Sequence, residues 1–232
     1  MVDNNSMTPG KIVFTLIYIL AFPALLLSLS GDWLWPEGWI FSVWLTAICF
    51  GTIIQLYRHD PELLAERYRK PGTGNQVGWD WYVVMGLLIG FIAWIVIMPL
   101  DAKRYGWTGY FPLGIKALGF TALLFSFFFF YRSFAANTFA SALVRIQDER
   151  RQRVISNGVY GFVRHPMYLG GALLFIGAPL LLGSMYGLIV GLVMVFLLAG
   201  RIVGEEKMLV EELEGYADYK NKVRYRLFPY IW

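Results

Sequence analysis

The residues of this chain that can do chemistry gather in two places. One is the run Arg164-His165-Pro166-Met167-Tyr168-Leu169-Gly170. The other, beyond an uncharged stretch, is Arg201 with the pair Glu205-Glu206. Ionisable groups at membrane depth are costly and usually face a cavity or a partner, so together they form a candidate site. Pro166 suits the first position of a helix, which sets His165 near the N-cap. A helix start leaves backbone N–H groups free and carries partial positive charge. Tyr168 follows His165 by three residues, on the same side. Arg201 and Glu205 stand four apart on one helix face, and Glu206 is turned from Glu205 by roughly 100°. Cations, carboxylates, an aromatic ring and backbone donors can hold a charged ligand, and His165 and Glu205 are the candidate bases. Each part also has a plainer use. Gly170, Gly171 and Gly177 either permit close helix packing or admit a flat ligand, and an Arg–Glu pair can simply mark where a helix leaves a membrane.

These groups need a scaffold, and composition names its class. The 232 residues are 57% hydrophobic and 16% charged, whereas soluble domains run about 45–50% apolar and about 25% charged. The excess lies in long uncharged windows, the mark of an integral membrane protein. Many of the nine Trp and fourteen Tyr stand at window ends, as in interfacial aromatic belts. The windows 12–31, 38–57, 81–100 and 111–131 each predict one span, with Lys116 near the start of the fourth able to snorkel. From Pro166 to Gly200 there are 35 residues without a charge. That is too long for one span of about 20 residues and slightly short for two with a turn. It predicts a tight hairpin turning near Gly183-Ser184, with helices that are short or stop before the far side. The expected fold is therefore all-α, a polytopic membrane bundle of about six helices in one domain, residues 1–232. No cleavable signal peptide is expected; the first apolar run reads as a retained helix. The single Cys49 excludes a disulfide or a cysteine metal cage, and with two histidines no metal site is expected.

Counting faces by alternation, seventeen of the twenty Lys and Arg fall on one side, with the N-terminus, residues 58–80, 132–165 and 201–232. The other side holds Lys103, Arg104 and Lys116. This bias predicts that both termini are cytoplasmic, with the basic face against anionic headgroups of membrane lipids. The net charge of +4 then needs no nucleic acid to explain it.

Between the spans, Asp60-Pro61-Glu62 reads as cap, first turn and dipole complement of a short helix. Its Leu63, Leu64 and Tyr68 are expected on the bilayer surface, and Pro71-Gly72-Thr73-Gly74-Asn75 ends it. In the polar segment 137–165, apolar pairs flank Asp148-Glu149-Arg150-Arg151. A small β-hairpin is the expectation there, with a turn at Ser156-Asn157-Gly158 and the arginines facing headgroups. The tail interleaves Tyr216, Tyr219 and Tyr225 with Arg224 and Arg226, which either closes over a pocket or anchors the end.

An R-H-P-x-Y-x-G start, a charge-free hairpin, R-x-x-x-E-E and a Tyr-spaced tail with Arg and Pro closely resemble one family. It is the integral membrane methyltransferases typified by isoprenylcysteine carboxyl methyltransferase, which also include phospholipid N-methyltransferases. The resemblance covers about Asn137 to Trp232, and Pro61-Glu62-Leu63-Leu64-Ala65-Glu66-Arg67 also looks like the bacterial members. One departure is Gly158-Val159-Tyr160 where the family has G-P-Y. The resemblance implies N-terminal transmembrane helices over 1–136 and a C-terminal catalytic region over 137–232 with a cytosolic cofactor pocket. It implies S-adenosylmethionine as cofactor, and a lipophilic acceptor from the bilayer: a prenylcysteine-like carboxylate, a lipid amine or a small thiol. It implies catalytic roles for Arg201, Glu205 and His165. Cofactor contacts would come from His165, Pro166, Tyr168, Leu169, Gly170, Glu205 and Glu206, and substrate contacts from Arg164, Arg224 and Arg226. The charges of the cofactor suit such a set. The alternatives are an NADPH-dependent sterol-type reductase, whose chains are longer with about ten spans, and a non-catalytic membrane protein that keeps the motif as a brace.

Overall fold

The computed structural model describes residues 9–232; the expected cytoplasmic placement of the extreme N-terminus lies outside the described residues. Eight α-helices are present among them: α1 (Pro9–Ser30), α2 (Pro36–His59), α3 (Pro61–Arg67), α4 (Gly78–Pro99), α5 (Leu113–Ala136), α6 (Pro166–Leu182), α7 (Met185–Glu212) and α8 (Tyr216–Lys222). The bundle consists of α1, α2 and α4–α7, matching the six expected helices. Among the described residues, four segments are long and apolar enough to cross a membrane: Pro36–His59, Gly78–Tyr105, Leu113–Ala136 and Met185–Glu212. α6 is shorter, at 17 residues. Outward-facing residues such as Ile89 and Phe196 are 69% and 75% exposed. Apolar side chains left bare along whole helix faces suit lipid, since in water they would be a liability.

Inside, Trp94 is fully buried and meets Phe41 and Phe175 edge-on, at ring separations of 6.1 and 5.6 Å. Small residues bring the helices together elsewhere. A Cβ on Gly119 of α5 would fall 2.4 Å from the Leu181 nitrogen of α6, and one on Gly191 of α7 would fall 2.1 Å from the Phe175 carbonyl oxygen. Gly170 belongs to the same contact set, because its carbonyl accepts from Ser126 Oγ of α5 at 2.7 Å.

One end of the bundle is tied by buried polar groups. α4 runs past Pro99 into a π-helical turn, Leu100–Tyr105, closed by Gly106 in the left-handed region. This places Asp101 inside, where its carboxylate accepts from Thr108 N (2.8 Å), Thr108 Oγ1 (2.7 Å), Ser184 Oγ (2.6 Å) and Tyr186 N (3.2 Å). Ser184 Oγ also accepts from Gly187 N and caps α7. The hairpin turn falls at Gly183-Ser184, as expected, and it reaches the level of the α4–α5 loop. Lys103 pairs with Asp32 of the α1–α2 loop at 2.9 Å, so all three loops share that end.

The opposite end carries α3, the segment 137–165, the start of α6, the end of α7 and the tail. The Asp60 cap is present, with Oδ1 accepting from Leu63 N at 2.9 Å. Leu63 and Leu64 depart from expectation. Both are buried against Leu56, Phe134 and Ala140, because α3 tucks beneath the polar segment instead of lying on the bilayer surface. The expected β-hairpin is also absent: segment 137–165 forms two 3-10 turns, Asp148–Arg150 and Gly158–Gly161, and no strand. Its backbone groups are taken by distant partners. Val144 N donates to Asp80, Val144 O accepts from Val77 N, and Ile146 O accepts from Asn75 Nδ2. Arg150 is likewise drawn inward, to Thr138 O and Gln147 Oε1.

Candidate functional site

His165 is the N-cap residue of α6, with Pro166 in the first turn. The backbone N–H groups just before that helix do not stay free: Arg164 N donates to Tyr225 O (2.9 Å) and His165 N to Arg226 O (3.0 Å). The C-terminal tail is thereby stitched to the start of α6. Below the stitch lies Glu206, nearly fully buried, with three cation or imidazole partners. Arg164 Nε stands 2.5 Å from Oε1, His165 Nε2 3.2 Å from Oε1, and Arg226 Nε 2.8 Å from Oε2. Arg164 Nη1 also donates to Val223 O and Arg224 O. One carboxylate therefore joins α7, the α6 start and the tail, an arrangement that loss of any partner would unbalance.

Beside this hub opens a pocket with a cavity volume of about 90 Å³. Its walls come from segment 137–165, the start of α6, the end of α7 and α8. Tyr160, Tyr168, Tyr216 and Tyr219 line it together with Glu205, His165, Arg164 and Phe139. Tyr168 Oη donates to Glu205 Oε2 at 2.5 Å, and Tyr219 Oη to the Tyr160 carbonyl at 2.7 Å. The Tyr216 hydroxyl is buried without a partner among the described residues. Buried hydroxyls are normally bonded, and this one belongs to a residue that lines the pocket. Burial pushes the Tyr160 phenol up to about 12 and raises Tyr216 and Tyr219 as well. All three are neutral donors at physiological pH.

Two buried ion pairs support the pocket. Arg201 does not meet Glu205. Its Nε and Nη2 reach Asp80 Oδ1 (2.7 Å) and Oδ2 (3.2 Å) at the start of α4, Nη2 donates to Ala142 O (2.7 Å), and its guanidinium lies 5.7 Å from the Tyr168 ring centre. Asp80 is fully buried and also accepts from Val144 N and Gln76 Nε2. In the second pair Glu66 of α3 takes Arg145 Nε (2.9 Å) and Nη2 (3.0 Å) as a fork, and Ser141 Oγ (2.8 Å). Burial opposes the Glu66 charge, but the Arg145 and Ser141 hydrogen bonds outweigh it and hold the carboxyl below its usual range.

Of the residues expected in the site, Arg164, His165, Tyr168 and Glu205 line the pocket. Arg201, Glu206 and Arg226 form the framework around it. Leu169 packs with Ile202 and Leu227, Gly170 sits in the α5–α6 contact, and Arg224 is exposed on the tail. Asp80, Arg145 and Tyr160 were not singled out as site residues in the sequence, whereas Tyr216 belongs to the tail expected to close over a pocket. For Asp80 a signal existed, an acid in the first turn of an otherwise charge-free helix.

A family model described as phospholipid methyltransferase matches residues 115–215, from α5 to the edge of α8. The protein-S-isoprenylcysteine O-methyltransferase of Saccharomyces cerevisiae is 36% identical over 85 residues, which is 36% of this chain and 36% of that protein. The protein of the same name from Schizosaccharomyces pombe is 26% identical over 170 residues, covering 65% of this chain and 71% of that protein. The chain thus spans about a third of one relative and about seven-tenths of the other. These matches include the helices that build the pocket, and over that region the chain is similar to phospholipid methyltransferases and to the two yeast protein-S-isoprenylcysteine O-methyltransferases.

Proposed function

We propose that the pocket binds S-adenosylmethionine and that the protein transfers its methyl group to a lipophilic acceptor drawn from the bilayer, of the isoprenylcysteine carboxylate kind. The observation that carries this reading is the Tyr168–Glu205 pair facing a tyrosine-lined pocket that also holds a buried, unpartnered Tyr216 hydroxyl. The residues fit the cofactor: a carboxylate for its cations, aromatic faces for its sulfonium and adenine, and an orphaned hydroxyl for its sugar or base. When bound, S-adenosylmethionine supplies a methyl group already activated on a positively charged sulfur.

The chain's own residues then have positioning work to do. Tyr168 fixes the Glu205 carboxylate, and the Arg201 cation beneath the Tyr168 ring is held by Asp80. The tail, clamped through Glu206, covers the pocket and excludes water, so that alignment supplies most of the rate enhancement. His165 enters as a positioning residue, since its Nε2 already faces Glu206. A carboxylate acceptor needs no base, and Glu205 is the candidate base for an amine or thiol. The basic end, with pocket and tail, faces the cytoplasm by its Lys and Arg excess.

Both relatives are named as methyltransferases, which favours this reading over a reductase. Calorimetric titration of the detergent-purified protein with S-adenosylmethionine, S-adenosylhomocysteine and NADPH tests it. Micromolar binding of the first two alone is expected; binding of NADPH alone would overturn it. For orientation, an external thiol reagent should label a cysteine placed in 101–110 and spare one placed in 148–158, and the reverse pattern would overturn the cytoplasmic assignment.

A further inference from the structure

Arg67, the last residue of α3, stands between the tyrosine-lined pocket and a second cavity. Its Nη1 donates to the Ala140 carbonyl at 3.1 Å and approaches Met167 Sδ at 3.7 Å; Ala140 and Met167 both line the pocket. On its other side Arg67 lines a groove of about 420 Å³ between α1, α2, α4, α5 and α6, with walls that include Trp44, Ile48, Cys49, Phe91 and Phe130. Among the described residues that line this groove, Arg67 alone is ionised.

Its charge is uncompensated. Arg145, Arg164 and Arg201 each meet a carboxylate. Among the described residues none lies within ion-pair distance of Arg67, whose guanidinium instead rests 4.8 Å from the Phe134 ring centre. Burial, and after it the neighbouring Arg201 cation, lower its pKa to about 10, which leaves it charged at neutral pH. A half-buried cation facing an apolar groove with no carboxylate in reach among the described residues is costly. A planar fork with donors to spare matches a carboxylate in shape as well as charge.

We propose that Arg67 receives the carboxylate head of a lipophilic acceptor whose hydrocarbon chain lies in the groove. This rests on the methyl-transfer reading and adds to it the residue that selects the acceptor. The apolar walls take the chain, the cation takes the head, and the position of Arg67 brings that head to the edge of the pocket proposed for the methyl donor. A neutral head group would leave the cation unanswered, so Arg67 is a specificity-determining residue for anionic amphiphiles.

Two probes that differ in one group test this: S-farnesylated N-acetylcysteine and its carboxamide, titrated onto the purified full chain with S-adenosylhomocysteine present. The wild type should bind the acid about 10-fold or more tightly than the amide, the scale of a charge-assisted pair. Arg67→Gln should erase that preference. Equal binding of the two probes by the wild type, or an undiminished preference in Arg67→Gln, would overturn the proposal. Should that variant fail to fold, the wild type still decides. Modification of Arg67 by phenylglyoxal, read by mass spectrometry, should be blocked by the acid and not by the amide, and equal protection by both overturns it. Binding of S-adenosylhomocysteine alone to the wild type, measured in the same preparation, reports on the methyltransferase reading separately.

Discussion

Arg201 pairs across the bundle with Asp80 on α4, 121 residues away in sequence, and not with Glu205 one turn along its own helix. The pair leaves Glu205 free to accept from Tyr168, so a structural ion pair and a pocket-lining carboxylate sit one turn apart. Removing one partner of a buried pair typically costs about 3–5 kcal/mol. Asp80→Asn should therefore lower the melting temperature in detergent sharply. The double variant Asp80→Asn/Arg201→Met should recover part of the loss, because the stranded cation goes too. Equal stability of Asp80→Asn and wild type would show that the pair contributes little.

Tyr168→Phe removes the hydroxyl that fixes Glu205. Affinity for S-adenosylhomocysteine should fall about 10-fold, in line with a hydrogen bond to a charged group, while the protein still elutes as a monodisperse species. Calorimetry on wild type and variant reads this directly, and unchanged affinity would remove the pair from the site.

Tyr216→Phe makes the opposite stability prediction. The hydroxyl is buried without a partner, so deleting it should leave the ligand-free protein as stable or more so. Cofactor affinity should drop several-fold if the hydroxyl meets the ligand. A melting scan with and without S-adenosylhomocysteine separates the two effects; a ligand-induced shift equal to that of the wild type would place the hydroxyl outside the contact.

Glu66 sets an acid limit. Its carboxyl is held below the usual range, so its stabilisation is complete above the unfolded value of about 4.3 and is lost as pH falls through the lower folded value. The melting temperature should decline below about pH 4.3. Glu66→Gln should be less stable at neutral pH and show a flatter acid limb. An acid limb identical in both proteins would argue against it.

Gly191→Ala should destabilise by about 1–3 kcal/mol or more, the usual range for overpacking. The added carbon would fall 2.1 Å from a backbone oxygen of α6, which cannot swing aside as a side chain can. Gly200, with open space around it, is the control; an alanine there should be neutral within helix propensity.

The six bundle helices and the turn at Gly183-Ser184 were legible because charge-free windows are long and bounded by aromatic and polar residues. The α3 helix was legible from Asp60-Pro61, a local signal. What escaped depends on partners far apart in the chain. The spacing of Arg201 and Glu205 fits an ion pair, but nothing local reveals that a buried Asp80 competes for the arginine. The segment 137–165 carries weak alternation, and its backbone is claimed by Val77, Asn75 and Asp80, so no strand forms. Arg164, His165, Tyr168 and Glu205 do meet in one pocket, while Gly170 and Leu169 are spent on packing. Tyr216 joins them because the tail folds back over α6, and Tyr160 because its 3-10 turn packs against α5.

The Asp101 knot has a dynamic consequence. Thr108, Ser184 and Tyr186 all hang on one carboxylate, so the loops at that end are cinched together like the base of a cup. A base that cannot splay confines breathing motions to the rim, where the tail and the 137–165 segment meet. A water-soluble ligand of the kind proposed for the pocket would then exchange without rearrangement of the bundle helices, at a rate set by opening of the rim.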